Sequence, residues 1–295
     1  MQKTTETQLR ILERLNEYRF LTVGQLLRLG VAKARKTIDR AIKGLHTKKP
    51  LVKYSEFGTF PTLGRLPRIN YLTKHGAETL AEYLQVEQEK ISYPKGVKIF
   101  SRDYFHRIET IDLHILARTF CNIHEDEGLE FDFFQAYFEH TGANHWGNPK
   151  NPKREALNKI IIDEKTAIIP DCIFQITDPN GKPWLFMGEI YRGHTTKRVH
   201  QQLGRYLTAL EKGSINKAYN FPRAIPVLIV CESENSMLAL MKRLKNDVSF
   251  QLAEDYFLFR TIKPVKQGDS KQIIEGFAKG WKTYTGKEKT LFTGQ

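Results

Sequence analysis

Leu9, Leu12 and Leu15 recur at helical spacing between Gln8 and Tyr18, with Arg10, Arg14 and Glu17 outside that stripe, so the chain opens on an amphipathic helix. After Phe20 and Leu21, Thr22 and Gln25 stand three apart as in a capping box, and Leu26, Leu27 and Leu29 carry a short second helix that Gly30 ends. A third helix is predicted over Lys33 to Leu45, with Ile38, Ala41, Ile42 and Leu45 inward and Lys33, Arg35, Lys36, Arg40 and Lys43 mostly outward. Three short helices with tight turns match a helix-turn-helix layout. Two β-rich runs follow, Leu51 to Tyr54 and Arg68 to Leu72, on either side of the Gly- and Pro-containing loop Gly58 to Pro67, which reads as a wing. Thr73 then caps a helix through Leu84, and residues 1–86 form a predicted winged helix-turn-helix domain.

Residues 87–100 are polar, hold Pro94 and Gly96, show no sustained period, and read as a linker. Beyond them a long helix is indicated from Ser101 to His124. Strand-like runs come next at Leu129 to Tyr137, Ile160 to Ile162, Ile169 to Ile176, Trp184 to Tyr191, Ile225 to Cys231 and Tyr256 to Ile262. Helical patterns at Thr196 to Glu211 and Ser236 to Lys245 separate the last three. Strands interleaved with helices indicate a mixed sheet, so the expected class is α/β, or α+β over the whole chain. This second domain is expected over residues 101–265, with residues 266–295 as a surface or flexible tail.

A length of 295 residues accommodates two such domains. The 46 Lys and Arg against 33 Asp and Glu leave a formal charge of +13, which draws polyanions, and nucleic acid is the first candidate. A membrane partner is not expected, because no segment has the roughly 20 apolar residues of a span and no basic amphipathic helix has a clean apolar face. The polar start, Met1 to Glu6, lacks a signal-peptide core, and a cytoplasmic location is expected. Cys121, Cys172 and Cys231 are odd in number and far apart, which suits buried, reduced thiols rather than a disulfide framework or a zinc site. Neither a P-loop nor a dinucleotide fingerprint occurs.

Candidate chemistry concentrates in two strands, where Pro170-Asp171 opens one and Glu189-Ile190-Tyr191 closes the next, with Asp178-Pro-Asn-Gly-Lys182 as the turn between. This resembles the P-D...(D/E)-x-K signature of the restriction-endonuclease-like superfamily. The resemblance implies that Asp171 and Glu189 bind Mg²⁺, or Mn²⁺, with Glu109 or Asp112 of the first helix as a further ligand. Hard cations favour carboxylate oxygens, and two acids from paired strands can hold one while leaving room for water and phosphate. Gln202-Leu-Gly-Arg-Tyr206 is similar to the Q-x-x-x-Y element of phage λ exonuclease and RecB-type nucleases. More narrowly, the chain over about residues 5 to 265 resembles the replication-relaxation family of plasmid and mobile-element proteins, including MobC-type relaxases. The matching positions are His106, Asp112, Ile169-Pro170-Asp171, Glu189 through Thr195, and Tyr206.

One departure stands out, because Tyr191 occupies the place of the signature Lys and cannot supply a cation. Three readings remain open. Lys197 or Arg198 of the next helix replaces the missing charge, with Gln202 helping to orient water or phosphate; Tyr191 is itself a nucleophile, as in a relaxase; or the site is degenerate and the domain only binds DNA. The resemblance therefore implies a DNA-binding protein of plasmid mobilisation or replication with metal-dependent strand nicking, or a non-catalytic accessory, initiator or repressor protein on the same fold. The expected partner is double-stranded DNA, a plasmid origin above all, together with mobilisation or replication proteins, and the winged helix is a candidate for homodimer formation. Contacts to DNA are assigned to Lys33, Arg35, Lys36 and Arg40 in the major groove, to Lys53, Arg65 and Arg68 on the wing, and to Arg192 and Arg198 beside the acids. An exposed basic helix face also serves simply to solvate a protein. His124 to Glu127 fits a solvated helix end, and the loop from His140 through Asn148-Pro-Lys-Asn-Pro-Lys-Arg154 fits either a phosphate contact or a plain surface excursion.

Overall fold

The computed structural model describes residues 4–94, 103–141, 155–193, 195–261 and 276–292. The chain divides into two compact units, Met1–Ile115 and Leu116–Gln295, so the division falls inside the long helix rather than in the expected linker.

In the first unit, helix α1 (Glu6–Tyr18) starts two residues earlier than its leucine pattern suggests, because Thr5 and Gln8 form a reciprocal capping box. The same device at Thr22 and Gln25 starts helix α2 (Val23–Arg28). Helix α3 (Arg35–Leu45) begins after Ala34, with no side-chain cap, and buries Ile38, Ile42 and Leu45. Strand β1 (Val52–Ser55) is followed by a small hairpin of β2 (Thr59–Phe60) and β3 (Gly64–Arg65), and then by β4 (Ile69–Leu72). β1 and β4 pair antiparallel with Val52 opposite Leu72, and Leu21 adds an isolated bridge to Asn70. Helix α4 (Lys74–Leu84) is capped by Thr73 as expected. Ile11, Leu12, Leu15, Leu21, Leu26, Ile38, Val52, Ile69 and Leu80 are all buried and supply the core. The start of the expected linker is structured: Gln88–Lys90 form a 3₁₀ turn, Ile91 is buried, and the Ser92 amide donates to Asn16 Oδ1 at 2.8 Å. Residues 95–100 of that linker, and residues 101–102 after it, lie outside the described residues.

Helix α5 (Tyr104–Ile123) carries the chain into the second unit. There β5 (Glu130–Ala136) precedes two short antiparallel pairs, β6 (His140–Thr141) with β7 (Glu155–Ala156) and β8 (Ile160–Ile161) with β9 (Ala167–Ile168). The basic loop expected to follow His140 lies, from residue 142 to 154, outside the described residues. Next come β10 (Cys172–Thr177), β11 (Pro183–Tyr191), helices α6 (Thr196–Glu211) and α7 (Ser214–Tyr219), β12 (Val227–Cys231), helix α8 (Glu234–Lys245), β13 (Phe257–Thr261), β14 (Trp281–Lys282) and β15 (Glu288–Lys289). Seven of these strands form one mixed sheet in the order β15-β14-β13-β12-β11-β10-β5. β5, β10 and β11 make an antiparallel meander, and β11, β12 and β13 run parallel, with α6, α7 and α8 in the crossovers. The run Val-Leu-Ile-Val-Cys of β12 is buried at every position, as a central parallel strand requires.

Ile173, Leu185, Met187, Tyr191, Val227 and Ile229 share one apolar core with Leu203, Tyr206 and Leu207 of α6 and with Leu240 and Leu244 of α8. Phe174 and Phe186 belong to a second, aromatic layer: their rings lie 5.3 Å apart, and Phe277 and Phe292 meet it at 6.4 Å from Phe174 and 5.7 Å from Phe186. The tail expected beyond residue 266 therefore contributes to the fold. From Gly276 onward it adds two sheet strands, and Trp281 is fully buried, with its indole N–H satisfied by the Phe277 carbonyl at 2.9 Å. Residues 262–275 lie outside the described residues. Cys121, Cys172 and Cys231 are buried and free of disulfides. Among the described residues, no helix is long and apolar enough to cross a membrane.

Candidate functional site

Asp171 and Glu189 meet through strand register. β10 and β11 pair with Cys172 opposite Gly188, and continuing that antiparallel register by one residue sets Asp171 opposite Glu189, on one face of the sheet. The local chain fixes both. Asn158 is fully buried and donates from Nδ2 to the Pro170 carbonyl at 2.6 Å, while the Asp171 carbonyl accepts from the Tyr137 amide at 3.0 Å. The Asp171 carboxylate then accepts from the backbone N–H of Ile190 at 2.6 Å, directly beside Glu189.

Helix α6 closes the other side of Glu189. Its Oε2 accepts from Gln202 Nε2 at 2.8 Å, and its Oε1 accepts from the Tyr206 hydroxyl. Gln202 and Tyr206 are four residues apart, which puts them on one helix face, as their sequence spacing demands. Both acids are buried, at 7% exposure each. Burial and the neighbouring Asp171 push the Glu189 carboxyl well above the usual carboxylate range, against the pull of Tyr206. Burial first, and then the same acids, push the Tyr206 phenol and the Cys172 thiol up, which disfavours the thiolate. Two opposed carboxylates that repel one another are a donor set that fits a hard divalent cation. Among the described residues no group of three or more His, Cys, Asp and Glu is placed as a metal-ligand cluster.

Other expected site residues are placed differently. Asp112, expected as an assisting acid, is engaged within the first unit: Arg28 forms an ion pair with Oδ1, and Gln25 Nε2 donates to it at 2.8 Å. Burial raises Asp112 and those two donors oppose the rise. Glu109 is half-buried on α5 in the same unit. Tyr191 sits in the apolar core at 4% exposure, and its hydroxyl has no hydrogen-bond partner among the described residues. Burial, and then the nearby Cys231, raise its pKa and so disfavour the phenolate.

Lys197 is exposed on α6. At about 100° per residue it lies roughly 160° around the helix from the midpoint of Gln202 and Tyr206, so it points away from Glu189. Arg198, also exposed, stands one turn before Gln202 on the near side and is the better placed cation. Arg192 pairs with Glu232 at 2.7 Å. Position 194 lies outside the described residues. Asn158 had no sequence signal of its own, since a single Asn gives no sign that its side chain holds a distant Pro carbonyl.

In the first unit Lys33, Arg35, Lys36 and Arg40 are all exposed at or on α3, with Arg35 in a loose 3.9 Å pairing to Asp39. Lys53 is exposed on β1, and Arg65 and Arg68 both reach Glu56. Comparison of the chain with models of protein families, with curated proteins and with solved structures finds no match.

Proposed function

We propose that the first unit is a winged helix-turn-helix module, that the second is a nuclease-like domain of the P-D...(D/E)-x-K kind, and that the protein binds double-stranded DNA and nicks it with a divalent cation. The observation that carries this reading is the opposition of Asp171 and Glu189 across β10 and β11, with Gln202 and Tyr206 of the following helix both bonded to Glu189. The antiparallel meander β5, β10, β11 followed by the parallel strand β12 supports it, because that order sets both acids beside the crossover helix. Asp171 and Glu189 would hold Mg²⁺ or Mn²⁺; Lewis-acid polarisation of a phosphate oxygen is the chemistry such a cation supplies when bound. Arg198 would meet a phosphate in place of the signature Lys, and the exposed bases of α3 would track the duplex. The resemblance to replication-relaxation proteins suggests plasmid mobilisation or replication as the setting.

A second reading is a non-catalytic DNA-binding protein on the same scaffold. The burial of Tyr191 at the signature Lys position, and the engagement of both Glu189 oxygens by α6, favour it. Purified protein incubated with supercoiled plasmid and Mg²⁺ or Mn²⁺ separates the two. Nicking that disappears in Asp171→Asn with duplex binding intact supports the enzyme; binding without nicking in either metal supports the scaffold.

A further inference from the structure

The exposed side of the β1–β4 hairpin carries an ion triad. Glu56 follows β1, Arg65 ends β3 and Arg68 directly precedes β4, so the hairpin loop folds two guanidinium groups back onto one carboxylate. Glu56 Oε1 accepts from Arg65 Nη2 at 3.1 Å and from Arg68 Nε at 2.7 Å, and Arg68 Nη2 lies 2.5 Å from the same oxygen. The Arg68 guanidinium also stacks 4.3 Å from the centroid of the Tyr54 ring, which meets the His46 ring edge-on at 4.9 Å. His46 is the C-cap of α3, so the stack ties the triad to the basic helix. All three members are open to solvent, with side chains 47% exposed for Glu56, 70% for Arg65 and 48% for Arg68.

Exposed ion pairs of this kind are weak and salt-sensitive, so a polyanion competes readily for both arginines. A carboxylate between two phosphate-seeking cations nevertheless cancels one of their charges and repels any phosphate that approaches. Contacts to the DNA backbone carry no sequence information, and whatever weakens them weakens binding to every sequence.

We propose that Glu56 restrains the wing of a DNA-binding module: it holds Arg65 and Arg68 in register until a backbone phosphate displaces it, which lowers affinity for duplex DNA of every sequence. This rests on the assignment of the first unit as a DNA-binding module. Glu56→Gln keeps the size of the side chain and removes its charge.

The test is binding of the full-length chain to a short random-sequence DNA duplex across a salt series, with circular dichroism confirming an unchanged fold. Glu56→Gln is expected to bind about fivefold tighter at low salt, and its log-log salt slope is expected to steepen by about one, the increment of one further phosphate neutralised. Adding Arg65→Ala and Arg68→Ala to that variant is expected to erase the gain. Unchanged or weaker binding by Glu56→Gln, or a gain that survives loss of both arginines, overturns the restraint. In either case a loss of binding in Lys36→Ala/Arg40→Ala leaves the DNA-binding assignment standing. If the wild-type protein does not bind duplex at all, that assignment fails and the restraint falls with it.

Discussion

The phenol of Tyr206 on α6 donates to the carboxylate of Glu189 on β11, and both side chains are closed off from solvent. A buried oxygen that loses its donor bears the cost of desolvation with nothing in return. Tyr206→Phe keeps the ring and its packing but strips the donor, so the expected loss of stability is about 1–3 kcal/mol by urea unfolding. A change under about 0.3 kcal/mol would mean that the bond contributes nothing net.

The same pocket makes stability depend on pH. Glu189 titrates above its ordinary value of 4.5 in the folded protein, because burial and Asp171 disfavour its charge. Between that ordinary value and the raised one, the folded state holds a proton that the unfolded chain has released. Stability is therefore greatest at the acid end of this window and falls as pH rises through it. Glu189→Gln cannot titrate and is expected to flatten that part of the curve, read by chemical denaturation of metal-free protein at several pH values. A variant curve parallel to the wild type would refute the assignment.

Helical phase separates Arg198 from Lys197. Arg198 lies on the side of α6 that carries Gln202 and Tyr206, whereas Lys197 points away. Arg198→Ala is expected to weaken duplex binding, or nicking where nicking is found, by about tenfold, the value of one lost charge-assisted phosphate contact. Lys197→Ala is expected to change it less than about twofold, as a solvated surface charge does. Equal effects of the two would leave the orientation without functional meaning.

Much of this arrangement is legible in the sequence. The capping box of Thr22 and Gln25, the cap at Thr73, the turn at Asp178 to Lys182 and the helix at Thr196 to Glu211 all rest on local patterns, and local patterns survive folding. The opposition of Asp171 and Glu189 is legible as well, because a hairpin turn sets register. What escapes is long-range. Arg28 takes Asp112 by a pairing 84 residues apart, and Asn158 holds Pro170 from beyond an intervening hairpin. Lys197 and Arg198 are neighbours in sequence, and only the phase of α6 tells them apart. The C-terminal segment reads as a tail because its strands are two residues long and its core contribution rests on isolated aromatics, Phe277 and Trp281.

That segment yields a test of its own. Trp281 has no exposure, and Arg260 grips the turn before it through the carbonyls of Gly276 at 2.6 Å and Lys279 at 2.7 Å. Trp281→Ala is expected to cost about 3–5 kcal/mol by thermal or urea unfolding, as deletion of a buried aromatic does. Termination after residue 265 removes β14, β15 and part of the aromatic layer, and is expected to leave a second unit that does not unfold cooperatively. A truncated chain with a wild-type melting curve would show the segment to be dispensable.

Two glycines in helices should respond to alanine in opposite directions. Gly76 lies in the first turn of α4 where the helix backbone presses against the start of β1, and a Cβ there would stand 2.0 Å from the Leu51 carbonyl oxygen and 2.9 Å from its carbon. Both are backbone atoms, and the oxygen also accepts the bonds holding Thr73 in place, at 3.0 Å from its amide and 3.2 Å from its hydroxyl, so neither side can yield cheaply. Gly76→Ala is expected to destabilise the first unit by about 2 kcal/mol or more, as overpacking of a closed contact does. Gly204 sits in mid-α6 with nothing within 4 Å of its would-be Cβ, so Gly204→Ala is expected to stabilise by about 0.5–1 kcal/mol through reduced freedom of the unfolded chain. Urea unfolding of the two variants measures both signs, and stabilisation by Gly76→Ala would mean that α4 does not approach β1 as closely as described.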